Sequence, residues 1–197
     1  MSTLNERPLR ADGVRNRRRA LDAATALLAE PGTTLTVDAI AKQAGMGTGT
    51  VVRAFGGKDA LMDAAVAELL QPIVNRGKEL LRHDDSAAAL RAFLMELMAF
   101  QAAHYAVSDQ LSGLNLPTTT ELRASLVEVV SAMVERARGQ GTIRDDIDPA
   151  TIATLVGESA FAIAKASNKD PKLADAFVTI LLDGLRPEAS PVSVVQQ

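Results

Sequence analysis

Eight residues near the N-terminus have types and spacing suited to holding a polyanion: Arg17, Thr36, Gly47, Thr48, Thr50, Val52, Arg53 and Lys58. Guanidinium and ammonium groups pair with phosphate oxygens, and threonine hydroxyls bond a phosphate or a base edge. Glycine lets a backbone approach closely, and valine can touch a thymine methyl. Competing chemistry is thin. The chain has no cysteine, which removes thiolate metal sites and cysteine nucleophiles. The two histidines, His83 and His104, lack metal-ligand spacing, and His83 adjoins Asp84-Asp85 at a predicted turn, where a solvated or capping role is expected. No Ser/His/Asp grouping, P-loop or paired-carboxylate motif is present. Gly47-x-Gly49 opens a short helix instead of following a strand, so it is not a nucleotide signature. Neither catalysis nor a metal or cofactor is expected.

Charge sharpens this picture. Residues 1–58 carry nine Lys or Arg against five acids, a net +4, and the remaining residues carry 12 basic against 19 acidic, a net −7. A basic head on an acidic body suits a protein with one end facing phosphate, although a solvated basic tail would look the same. Aromatics make up 3% of the chain. A core of Ala, Leu, Val, Ile and Met favours packed helices over sheets. The N-terminus is polar, and no run approaches the roughly 18 apolar residues of a membrane span. A cytoplasmic protein is expected.

The elements that must position the eight residues follow from periodicity. Residues 1–14 read as a flexible basic arm. Leu21, Ala24, Leu27 and Leu28 make a helical stripe between Arg15 and Glu30, stopped by Pro31-Gly32. Thr36 caps a short helix over Val37–Ala44, which Gly45 ends. A second short helix spans Thr48–Phe55 and breaks at Gly56-Gly57. Both are too short to be stable alone, and they need Ile40, Met46, Val51 and the preceding helix as a shared core. That is the logic of a helix-turn-helix, with the second helix presenting its outer side chains to the major groove. Further helices are predicted from Lys58 to about Arg82 with a kink or break at Pro72, to about Tyr105 after an Asp84-Asp85-Ser86 cap, from Thr118 to Gly139, from Pro149 to about Ser167 after Asp148, and from Pro171 to Leu185. Residues 106–117 read as a short helix or loop. The prediction is an all-α fold of about nine helices: arm 1–14, helix-turn-helix domain 15–60, a C-terminal bundle 61–186 and a tail 187–197.

The run from Ile40 through Ala44-Gly45-Met46-Gly47-Thr48-Gly49-Thr50-Val51-Val52-Arg53-Ala54-Phe55 to Lys58-Asp59-Ala60-Leu61 resembles the TetR family of bacterial regulators. That family's pattern is loosely IA-x-x-AG-V-[ST]-x-G-T-[LV]-Y-x-[HY]-F-x-[ST]-K-[ED]-x-L. Ala23-Ala24, Leu27-Leu28 and Gly32 fit the preceding helix. Two positions depart from it. Val52 stands where the family usually has a phosphate-contacting Tyr, and Ala54 where it often has His or Tyr. Weight shifts to Thr50, Arg53 and Lys58, with the arginines Arg15 to Arg19 reaching the DNA backbone or minor groove.

The resemblance implies a dimeric regulator, usually a repressor, that reads palindromic operator DNA and is released by a small-molecule effector. It implies dimerisation through the helices near 149–167 and 171–185, whose apolar faces include Ile152, Leu155, Val156, Ala160 and Phe161, and Phe177, Ile180, Leu181 and Leu185; ordinary intrachain core is the alternative. An effector pocket is expected around Phe93, Leu97, Gln101, His104, Tyr105 and Leu114, although each could equally pack the bundle. A ligand- or partner-binding helical protein with weakened DNA recognition remains the alternative function, motivated by Val52 and Ala54.

Overall fold

The computed structural model describes residues 6–28, 30, 35–110, 114–167 and 172–187, and these form eight helices. They are α1 (Glu6–Leu28), α2 (Val37–Ala44), α3 (Thr48–Phe55), α4 (Lys58–Leu80), α5 (Ser86–Gln110), α6 (Pro117–Gly139), α7 (Pro149–Ser167) and α8 (Lys172–Gly184). The Pro31-Gly32 stop and most of the expected tail lie outside the described residues.

Several boundaries differ from the sequence prediction. α1 begins at Glu6 and not near Arg15, so most of the expected arm is helix; nothing between Arg10 and Arg19 interrupts a helix except Gly13, which costs only about 1 kcal/mol relative to Ala. α4 runs unbroken through Pro72. Pro72 is exposed, and what its ring forfeits is a single backbone donor. α5 continues to Gln110, past the expected end at Tyr105. The caps follow expectation. Asp148 Oδ2 accepts from Thr151 N at 2.9 Å ahead of α7, and Asp85 Oδ1 accepts from Ala88 N at 2.9 Å ahead of α5.

The chain divides into two units, residues 1–75 with 100–126 and residues 76–99 with 127–197. By packing, the first unit thus takes in more than residues 15–60. Its core joins Ala20, Ala24 and Leu28 of α1 to Ile40 and Ala41 of α2, Val51 and Phe55 of α3, and Leu61, Met62 and Ala65 of α4, with Leu116 and Leu122 on the same cluster. Asp63 is buried here. Its Oδ1 accepts from Thr119 N at 2.8 Å and from Thr119 Oγ1 at 2.7 Å, and its Oδ2 accepts from Thr118 N at 3.0 Å. A carboxylate from α4 thereby supplies the α6 N-terminus with acceptors.

The second unit buries Leu90, Phe93, Leu94, Met98, Met133, Val134, Ile152, Val156, Ala160 and Val178. α7 packs on α8. Gly77 of α4 sits where a Cβ would stand 2.5 Å from Val129 Cγ1 and 2.8 Å from Phe93 Cε2, so α4 passes α5 and α6 with no room for a side chain. No described helix is long and apolar enough to cross a membrane.

Candidate nucleic-acid interface

α2 and α3 have eight residues each and bury one face: Ile40, Ala41 and Ala44 from α2, Val51 and Phe55 from α3. Each packs on α1 and on the other. Thr36 has extended backbone and accepts from Ala39 N at 3.1 Å, the predicted cap. Its hydroxyl proton stays free to donate. Gly45 closes α2 in the left-handed conformation (φ 62°), with Met46 N donating to Ala41 O at 2.9 Å. This is a Schellman turn, and a residue with a Cβ would be strained there. The reversal lets a three-residue link, Gly45 to Gly47, join α2 to α3.

Gly47 precedes α3 without a side-chain cap, which leaves the first N–H groups of the helix and its positive dipole end open for an anion. Gly47, Thr48, Gly49 and Arg53 are exposed, and Thr50 and Val52 are half-buried. Thr48 Oγ1 donates to Asp38 Oδ1 at 3.2 Å, tying the start of α3 to α2. Arg53 folds back along the helix: its Nη2 donates to Thr50 Oγ1 at 3.4 Å, and a Cβ on Gly49 would stand 3.4 Å from its Nη1. The guanidinium thus lies against Gly49 in ordinary contact. Lys58 is exposed at the start of α4, after Gly56 closes α3 with φ 82°. The structure brings Gly47, Thr48, Thr50, Val52 and Arg53 together on α3, with Thr36 and Lys58 at the starts of the helices on either side.

Arg17 has a different environment. Its Nη1 donates to Ala54 O at 3.0 Å, and its Cζ lies 4.1 Å from the centroid of the Phe55 ring. Arg19 Nη2 donates to Ala44 O at 2.7 Å, Arg18 pairs with Asp22 and with Glu68, and Arg15 pairs with Asp12. Arg15, Arg17, Arg18 and Arg19 each engage the protein from within α1. Linear spacing did not disclose Arg19 or Asp38 as parts of this site, because the first acts across 25 residues and the second across 10.

The expected effector residues fall in both units. Phe93 and Leu97 are buried in the core of the second. In the first, Leu114 packs against the core, His104 Nδ1 donates to Phe100 O at 2.8 Å, and Gln101 has a buried Oε1 without a hydrogen-bond partner. The Tyr105 side chain lies outside the described residues.

Comparison with known proteins decides what this arrangement belongs to. The family model for bacterial regulatory proteins of the tetR family matches residues 20–65, and that for the C-terminal domain of SbtR-like transcriptional regulators matches residues 85–187. The chain belongs to the TetR family of transcriptional regulators. This TetR-family chain is 27% identical over 186 residues to the HTH-type transcriptional repressor KstR2 of Rhodococcus jostii strain RHA1, covering 87% of this chain and 90% of that one. A TetR transcription regulatory protein from Mycobacterium vanbaalenii is 32% identical with a TM-score of 0.61, covering 91% of this chain and 99% of that one. FadR of Bacillus subtilis, solved with stearoyl-CoA, shares the fold at 18% identity and a TM-score of 0.69, covering 86% of this chain and 99% of its own. Proteins of the TetR family are transcriptional regulators and not enzymes.

Proposed function

We propose that this TetR-family regulator binds palindromic operator DNA in the cytoplasm as a homodimer, represses transcription there, and is released by a small-molecule effector. The outer face of α3 carries the reading, with its uncapped N-terminus at Gly47 and Arg53 lying over Gly49. Arg53 swings from Thr50 to a base edge, Thr48 and Thr50 bond base or phosphate, and Lys58 and Thr36 meet the backbone. Val52 offers a methyl contact. The kinship with a transcriptional repressor supports repression.

Duplex selection from a random pool followed by gel-shift titration at several salt concentrations tests this. Arg53→Ala is expected to cost about 1–3 kcal/mol of specific binding and to relax specificity at one position, while Lys58→Ala weakens all duplexes and lowers the salt slope by about 1. Thr50→Ala lies between them. No enriched palindrome, or unchanged affinity in all three variants, would leave a ligand- or partner-binding protein that no longer reads DNA.

Dimerisation through α7 and α8 is supported by what they leave uncovered. Ile152, Val156 and Ala160 are spent on intrachain core, whereas Leu155 is 58% exposed and Ile180 72% exposed. Exposed aliphatics on adjacent helices suit an isologous contact with a second copy, and the half-sites of a palindrome read in successive major grooves lie about 34–36 Å apart. Leu155→Asp with Ile180→Asp is expected to convert the dimer to monomer in sedimentation velocity, with loss of operator binding; a persistent dimer would exclude this face.

For the effector, the ligand in FadR gives precedent within the fold. The unpartnered Gln101 Oε1 is the acceptor we propose a ligand donor satisfies, with His104 three residues further along α5 and Leu114 on the core of the same unit. Phe93, Leu97 and Tyr105 are proposed as effector contacts as well.

A further inference from the structure

Arg17, Arg18 and Arg19 read in the sequence as a basic cluster for DNA. In the structure they diverge. Successive residues of a helix point about 100° apart, and here the three guanidiniums reach three different helices. Arg17 donates to the Ala54 carbonyl near the end of α3, Arg18 pairs with Glu68 of α4 at 2.9 Å, and Arg19 donates to the Ala44 carbonyl at the end of α2.

The two carbonyl contacts solve one problem. A short helix ends in unpaired carbonyls and a partial negative charge, and a cation placed there satisfies both. Arg17 does more, since its guanidinium also lies over the buried Phe55 ring, 4.1 Å from the centroid. It thus grips the backbone and the anchoring side chain of the same helix end. The other end of α3 is held by Thr48 on Asp38.

We propose that Arg17 and Arg19 are positioning residues for the recognition helix, with Arg18 a weaker third arm, and that they set the orientation of α3 instead of contacting phosphate. This rests on the operator-binding reading given above. A phosphate contact releases a counterion when it forms, so its loss lowers the salt slope and weakens every duplex alike. A positioning residue changes how well the helix fits one sequence and leaves the slope alone. The Arg18–Glu68 pair is exposed and worth least.

The test is fluorescence anisotropy with the selected operator and with an unrelated duplex across a salt series, using Arg17→Gln, Arg19→Gln and Arg17→Lys. Arg17→Gln is expected to lose about tenfold in operator affinity, equivalent to about 1.4 kcal/mol, with an unchanged salt slope and unchanged binding to the unrelated duplex. Arg17→Lys keeps the charge without the planar fork and stack, so it recovers only part of that loss; if the Gln variant does not fold, the Lys variant shows the same pattern on a smaller scale. A slope reduced by about one with equal losses on both duplexes, or unchanged operator affinity, overturns the proposal. A second measurement needs no DNA: amide hydrogen exchange in the free protein is expected to quicken across α3 in Arg17→Gln and not in Lys58→Ala. If the unaltered protein selects no duplex, the operator reading falls while the exchange result still decides the clamp; unchanged exchange in α3 overturns it.

Discussion

Replacing Gly77 with valine is expected to destabilise the protein by about 3 kcal/mol or more, the upper range for forcing extra carbons into a filled core. A Cβ there would stand 2.5 Å from Val129 Cγ1 and 2.8 and 2.9 Å from two carbons of the Phe93 ring. Neither neighbour has anywhere to go, because Phe93 is 0% exposed and Val129 3% exposed. Alanine makes the cleaner experiment. Gly→Ala in a helix gains about 1 kcal/mol of propensity, so a net loss of stability in Gly77→Ala shows that packing outweighs it. At this chain length each kcal/mol moves Tm by about 2–4 °C. Thermal unfolding should place Gly77→Val lowest, Gly77→Ala between it and the unaltered protein, and Gly77→Ala with Val129→Ala above the sum of the two single effects. A Gly77→Ala protein more stable than the original by that full gain of about 1 kcal/mol would mean that α4, α5 and α6 do not approach as closely as described.

The second large effect is at Asp63. Burial alone would raise this carboxyl, but the N–H and hydroxyl of Thr119 and the N–H of Thr118 donate to its ionised form and together hold it below its ordinary 3.8. Asp63→Ala leaves these donors facing a buried gap at the start of α6, for a loss of about 2–4 kcal/mol on the scale of unsatisfied buried groups and lost caps. Asp63→Asn keeps one acceptor and turns a donor toward another donor, so a smaller loss is expected. The pH dependence has a definite sign. A carboxyl with a lower folded than unfolded value binds fewer protons when folded, so its contribution is complete above the unfolded value near 3.8 and disappears as pH falls through the folded one. The stability gap between the unaltered protein and Asp63→Ala should therefore be widest near neutrality and narrow under acid. A gap independent of pH would mean that the carboxylate charge is not what caps α6.

The helix-turn-helix was legible because its signals are local. Thr36 before Val37, Gly45 after Ala44 and the spacing of Ile40, Ala41, Val51 and Phe55 each constrain one or two turns, and the structure follows them. Asp148 ahead of Pro149 marked α7 equally well. Pro72 does not divide α4, since a proline in a helix interrupts the hydrogen-bond ladder at one turn and the helix continues on both sides of it. The arm differs for another reason: residues 6–14 read as polar and without a clear apolar stripe, yet they continue α1, and charge in a sequence does not say which carbonyl or carboxylate Arg17, Arg18 and Arg19 will reach.

An all-helical chain with a helix-turn-helix head of the TetR family was readable along the chain, since caps, breakers, apolar period and motif all act within a few residues. Folding alone brings Arg17 and Arg19 to the ends of α3 and α2, sets Asp63 as the cap of a helix 55 residues away, makes Gly77 a crossing point and leaves Leu155 and Ile180 uncovered. These depend on which helices lie side by side. That is settled by the packing of many side chains at once, and a hydrogen bond or a van der Waals contact formed across such a distance leaves no periodic trace along the chain.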